Sequence, residues 1–258
     1  MRTNCSDSKD LLVYSTTEIE VSVAPNIEKR KQTSKMKLIF IHGFVEDSTI
    51  FDEIRKTITL GEQIALNLEE DLATWQDAPE DMDVQKLAFH LIQKYKITAK
   101  DCVIGHSMGG WIAAYIKQNI GCKAILLASL TNQAKLLSPL TNLTLLKYSV
   151  RWGITQSNGM VSYLKNMYHF SESKQLYDGL IDGLAVMDKK CLFQQLQVLF
   201  AKVPPLTITP DLRVHARKDN VVAFPDEPYV EVPGDHFSLV FHPKEVCDAI
   251  VRSGKLEN

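Results

Sequence analysis

Residues 105–110 read Gly-His-Ser-Met-Gly-Gly, a G-x-S-x-G pattern that sets one hydroxyl, Ser107, between small residues two positions before and two after. A serine hydroxyl is a poor nucleophile until a base removes its proton during attack, and an imidazole titrating near neutrality suits that task. Two downstream segments offer the other parts. His236 stands in Gly234-Asp235-His236-Phe237, and Asp219 stands in Lys218-Asp219-Asn220-Val221-Val222. Asp219 could accept from the imidazole nitrogen that is not the base, fixing the tautomer and stabilising the imidazolium. Ser107, Asp219 and His236 are therefore the candidate set for acyl transfer.

Other residues of the same types fit less well. Asp235 is expected to point away from its neighbour His236, Asp211 begins a strand and so lies at the wrong sheet edge, and Asp226 is the runner-up acid. His106 should leave the turn in another direction, and His215 lies within a strand. His242 precedes Pro243 at the start of the last helix, while His90 and His169 read as helix-surface residues. No H-E-x-x-H pattern or carboxylate cluster is present, so neither a metal nor a cofactor is expected.

The elements around these residues explain how they could meet. Leu38-Ile39-Phe40-Ile41, ended by His42-Gly43, is the short continuous apolar run of a strand buried on both faces. Gln63–Leu68, Cys102–Ile104 and Ala124–Ala128 read as further strands. Ser48–Leu60, Val84–Tyr95 (with Asp83 as N-cap) and Trp111–Asn119 read as helices, and Glu69–Asp83 as an acidic loop. Such alternation implies a parallel sheet covered on both faces. Leu11–Ala24 suits one or two strands, and Asn26–Lys37 a loop. From about residue 131 to 204 only helical patterns appear, including Gly179–Met187 and Cys191–Lys202. Strands return at Leu212–Ala216 and Tyr229–Val232, and the helix Pro243–Arg252 follows. Ser107 would then sit on a strained strand-to-helix turn at the sheet's C-terminal edge, beside the positive end of the next helix.

With these motifs in the order nucleophile, acid, histidine, and with His42-Gly43-Phe44 closing the first buried strand, the chain resembles the α/β-hydrolase fold family from Leu38 onward. The resemblance implies a mostly parallel central sheet with helices on both faces, and a helical cap inserted at about 131–204. It implies an oxyanion hole from the backbone N–H groups of Phe44 and Met108, whose side chains would line the acyl pocket. His42 is expected to be a structural hydrogen-bonding residue. Cap residues such as Trp152 would supply an apolar substrate wall. A serine at position 107 argues against dehalogenase and epoxide hydrolase relatives, which would carry Asp there. It leaves a carboxylic esterase as the leading expectation, with a thioesterase or carbon–carbon bond hydrolase using the same triad, and a non-catalytic ligand-binding protein, as alternatives. Two departures from the family pattern stand out. The interval from Asp219 to His236 holds Pro225 and Pro228 and has no room for the usual helix, and Glu69-Glu70-Asp71-Leu72 replaces a Gly-rich turn.

Composition sets the outer bounds. The 258 residues are 45% hydrophobic and 23% charged, which fits one α/β domain or two small ones and excludes collagen-like and disordered classes; the motif order decides for a single domain over 1–258. With 29 basic against 31 acidic residues the net charge is -2, so no long-range field gathers nucleic acid or anionic membrane. The insertion is slightly more basic than the rest. Five cysteines without C-x-x-C spacing read as reduced thiols. The polar first ten residues lack a signal peptide's apolar stretch, and no window reaches the ~18 apolar residues of a membrane helix. A cytoplasmic monomer or homodimer acting on a small ester or thioester, without nucleic acid or membrane insertion, is the expectation.

Overall fold

A computed structural model describes residues 35–138 and 140–256. The strands expected in Leu11–Ala24 and most of the following loop lie outside these residues, as does the part of the expected domain before Lys35. From Lys35 onward the chain forms one compact unit. Its centre is a six-stranded sheet, all parallel, in the order β2-β1-β3-β4-β5-β6. The strands are β1 Lys37–Ile41, β2 Glu62–Ala65, β3 Cys102–His106, β4 Lys123–Leu127, β5 Leu212–Ala216 and β6 Val230–Val232.

Successive residues of β1 serve opposite faces, as the strand period of two requires. Ile39 and Ile41 pack with α3 (Val84–Tyr95) and α4 (Met108–Ile120). Leu38 and Phe40 pack with Ile54 of α1 (Asp52–Thr57) and Ile250 of α10 (Pro243–Arg252). The chain runs from β1 outward to β2 and then returns to place β3 on β1's other side. The loops leaving β1 and β3 therefore diverge, and a crevice opens at the carboxyl ends of these strands.

Between β4 and β5 lie α5 Leu143–Arg151, α6 Asn158–Met167, α7 Lys174–Val186 and α8 Lys189–Phe200. Helix α8 is as much core as insertion. Its Leu192 and Val198 are fully buried, and the Val198 carbonyl accepts the Trp111 indole N–H at 3.2 Å. The connection from β5 to β6 has no helix, in keeping with its two prolines.

Two sequence expectations are corrected. The span Glu69–Asp83 is not all loop, because α2 Leu68–Thr74 begins it. Asn67 caps this helix through Glu70 N–H at 3.4 Å, and Glu69, Glu70 and Asp71 fill its first turn, where acids favour the positive helix end. The acidic run was thus a helix start. The expected helix Ser48–Leu60 is shorter, a 3₁₀ turn Ser48–Phe51 followed by α1. Cys102, Cys122, Cys191 and Cys247 are buried free thiols; burial pushes Cys102 and Cys122 up to about 12.

Candidate active site

Ser107 is the single residue between β3 and α4, and its backbone adopts φ 51° and ψ −119°. A side chain in this region is strained, and such strain persists only where the surroundings impose it. Here they do. Ser107 N–H donates to the Leu127 carbonyl at 3.0 Å, and the Ser129 hydroxyl donates to the Ser107 carbonyl at 2.6 Å. A Cβ on Gly105 would collide with the backbone of Gly109, and one on Gly109 with the Ile41 carbonyl. The two flanking glycines are therefore fixed by close backbone approach.

His236 arrives on the loop between β6 and α9 (Ser238–Phe241), and Asp219 on the loop after β5. His236 Nδ1–H donates to Asp219 Oδ2 at 2.9 Å, which leaves Nε2 as the free basic nitrogen. Asp219 Oδ1 accepts from the N–H groups of Val221 and Val222 at 2.8 and 2.9 Å. Burial alone would favour the neutral acid, but His236, its hydrogen bond and nearby His215 hold the Asp219 carboxyl below its ordinary range. His215 Nε2 lies 3.6 Å from Asp219 Oδ2 and bonds the Val222 carbonyl at 3.2 Å. Among the described residues no group hydrogen-bonds the Ser107 hydroxyl, which is open to the cavity that His236 also lines. Such catalytic bonds commonly tighten only when a reacting group is present.

The amides of Phe44 and Met108 have no acceptor among the described residues. Phe44 also lines the cavity. The side chain of Met108 does not: it is fully buried in the core with Ile41 and Trp111, because the first turn of α4 packs beneath the sheet edge. Trp152 is a second correction. It caps the C-terminus of α5, is 69% exposed, and packs on Tyr148 outside the cavity. Leu146 and Ser149 are the residues that α5 turns inward instead.

The competing residues are accounted for. Asp235 is buried and accepts from the Ser173 hydroxyl and from Phe237 N–H. Asp211 binds Lys117 and Ala124 N–H at the opposite end of the sheet, and Asp226 pairs with Lys135 in solvent. His42 accepts Leu68 N–H on Nε2 at 2.9 Å and donates to the Gly43 carbonyl, and burial keeps it neutral. His242 faces Glu172, and His90 stacks on Trp75.

One arrangement was not foreseen. Glu46, four residues after His42, is buried beneath the site beside His106. Its Oε2 accepts Gly43 N–H at 2.5 Å and His106 Nδ1–H at 2.9 Å, and His106 Nε2–H donates to the His236 carbonyl at 2.9 Å. Both nitrogens of His106 face oxygen acceptors, so the pair is an imidazolium and a carboxylate. Burial opposes both charges, yet their mutual attraction holds His106 above and Glu46 below their ordinary values. Three loops are thereby joined: those after β1, β3 and β6. Val45, between Phe44 and Glu46, is held at φ 60° and its N–H donates to Gln195 at 3.0 Å. Glu46, His106 and His236 also bring ligand-type atoms within 4.8 Å of one another. Glu46 and both His106 nitrogens are committed to hydrogen bonds, as is His236 Nδ1, so the set does not fit a metal.

The cavity measures about 450 Å³. Its wall combines Phe44, Leu136 and Leu199 of α8 with Leu146, Met160 and Leu184 of α5, α6 and α7, and contains no Lys or Arg.

No protein-family model matches the chain, and no curated protein sequence matches it. Solved structures do. A hydrolase from Oleispira antarctica is 12% identical, with a TM-score of 0.63 over 86% of this chain and 92% of that one. A thermophilic esterase from Thermogutta terrifontis is 16% identical, with a TM-score of 0.63 over 86% and 91%. An enol-lactonase from Burkholderia xenovorans is 12% identical, with a TM-score of 0.61 over 84% and 90%. At such identities the likeness is one of architecture, and together with the parallel sheet and its strand order it shows that the chain has the α/β-hydrolase fold.

Proposed function

We propose that this protein is a serine hydrolase that cleaves a carboxylic ester of a small, largely apolar substrate through an acyl-enzyme. Ser107 Oγ attacks the ester carbonyl while His236 Nε2 takes the hydroxyl proton, and Asp219 stabilises the imidazolium. The N–H groups of Phe44 and Met108 receive the oxyanion, at the positive end of the 13-residue α4. The alkoxide leaves with the proton from His236, and a water activated by the same nitrogen releases the acid. The insertion acts as the cap that walls the acyl group.

The observation that carries this reading is the convergence on one cavity of a serine held at φ 51° and an imidazole oriented by a buried carboxylate. The cavity volume suits a small ligand. Its wall offers a substrate carboxylate no cation, which favours a neutral ester over charged acyl compounds. Turnover of p-nitrophenyl esters and labelling by a fluorophosphonate test it. Ser107→Ala should remain folded and lose both; full activity in that variant would remove the assignment.

A further inference from the structure

The insertion carries a surface that chemistry at Ser107 does not require. Eight of the fourteen large apolar side chains exposed among the described residues fall between Leu137 and Met167. On α5, Leu145, Tyr148 and Trp152 recur at i, i+3 and i+7 and form one outward stripe. The helix positions bordering this stripe are Ser149 and Leu146, which line the cavity. Leu137, Leu140, Tyr163 and Met167 are both exposed and cavity-lining, so they form the cavity's rim. The apolar surface is continuous with the entrance to the site.

Its flank is basic. From Thr131 to Ser171 the chain has no Asp or Glu but holds Lys135, Lys147, Arg151 and Lys165. Lys135 and Lys165 are paired with Asp226 and Asp182 at 2.5 and 2.6 Å. Lys147 and Arg151 lie exposed on the other side of the α5 stripe, without an ion pair among the described residues. Lys189 joins them, with Nζ 3.3 Å from the Arg151 carbonyl.

We propose that this face docks on an anionic lipid surface, so that the rim opens toward the lipid and an uncharged lipid-borne ester enters the cavity without crossing water. The docking stands on the surface alone; delivery of an ester rests on the proposed hydrolysis. Tyrosine and tryptophan suit a water–lipid boundary because each joins an apolar ring to a polar group. Lysine and arginine beside them meet headgroup phosphates and carboxylates. A second copy of the chain is a poorer occupant. A two-fold interface sets one patch against itself, which would bring Lys147 and Arg151 of both copies into one interface with no acid between Thr131 and Ser171 to receive them. No helix among the described residues is long and apolar enough to cross a membrane, and the contact proposed is with the surface only.

Sedimentation of the full chain with phosphatidylcholine vesicles, with and without phosphatidylserine, tests this. The Ser107→Ala variant is run in parallel, because docking needs no turnover. Both proteins should pellet with the anionic vesicles, far less with neutral ones, and less as salt rises. The double variant Lys147→Gln/Arg151→Gln should lower vesicle partitioning roughly 25-fold, at about fivefold per cation. Trp152→Ser should lower it roughly tenfold or more through lost apolar burial. Both variants should turn over a water-soluble p-nitrophenyl ester as the parent does. Equal recovery with and without vesicles, or binding unmoved by these substitutions, overturns the proposal. A dimer in light scattering that Trp152→Ser converts to a monomer also overturns it and assigns the face to a second copy. Docking by a chain that turns over no ester supports the surface and removes the hydrolase reading.

Discussion

Replacing Glu46 by Gln removes one buried charge with almost no change of volume, and its consequence depends on pH in a way the hydrogen bonds dictate. In the parent, the Glu46 carboxylate contributes stability above about pH 4.5 and loses it as pH falls through its lowered folded value. His106 contributes fully below about pH 6.5 and loses it as pH rises through its raised folded value. The pair is thus worth most between these two values. Gln at 46 keeps His106 neutral only by placing its amide N–H where Oε2 stands, because Gly43 N–H and His106 Nδ1 converge on that one atom. When that amide N–H donates to His106 Nδ1, His106 Nε2–H still donates to the His236 carbonyl, and Gly43 N–H loses its acceptor.

That arrangement needs an uncharged His106. Below pH 6.5 the unfolded variant takes up a proton on His106 that the folded variant refuses, at a cost approaching about 1.4 kcal/mol per pH unit. Integrated from about pH 6.5 to about pH 5, Glu46→Gln should lose roughly 1.5 kcal/mol relative to the parent, on top of a pH-independent loss of about 1–3 kcal/mol from the Gly43 N–H left without an acceptor. Urea unfolding of both proteins across this range measures the difference, in which all other titrating groups largely cancel. Parallel stability profiles would refute the imidazolium assignment and leave His106 neutral against a protonated Glu46.

Two further substitutions probe the triad. Asp219→Asn keeps an acceptor for Val221 and Val222 N–H but turns an amide donor toward His236 Nδ1, forcing the wrong tautomer; kcat should fall on the order of 10⁴-fold with KM little changed, read by steady-state ester kinetics. Ser107→Gly should abolish turnover yet raise stability by about 1 kcal/mol in chemical denaturation, because glycine adopts φ 51° without the strain a side chain brings and loses part of that gain to backbone entropy.

The parts of the site that could be read from the sequence are those whose constraint is local. Gly105 and Gly109 mark the turn because two backbones approach there, and the Asp219 and His236 loops each follow a short strand that alternation and apolar runs reveal. The sheet was legible for the same reason: strands buried on both faces leave continuous runs such as Leu38–Ile41. What escaped is what only the crossover from β2 back to β3 creates. Glu46 stands beside Asp47, and nothing within a few residues of it signals a partner. Its partner, His106, is 60 residues away and becomes adjacent because β1 and β3 are neighbours in the sheet. Trp152 failed in the opposite sense, since aromatic content alone cannot say which side of a short helix faces inward. On α5 that is decided by Leu146 and Val150 packing against α8, which leaves the tryptophan outside. Charge pairing and helix orientation are both tertiary properties, so a linear pattern misses the buried ion pair and the exposed aromatic alike: Glu46 holds together the loops after β1, β3 and β6, and the ring expected in the cavity wall faces solvent beside Arg151.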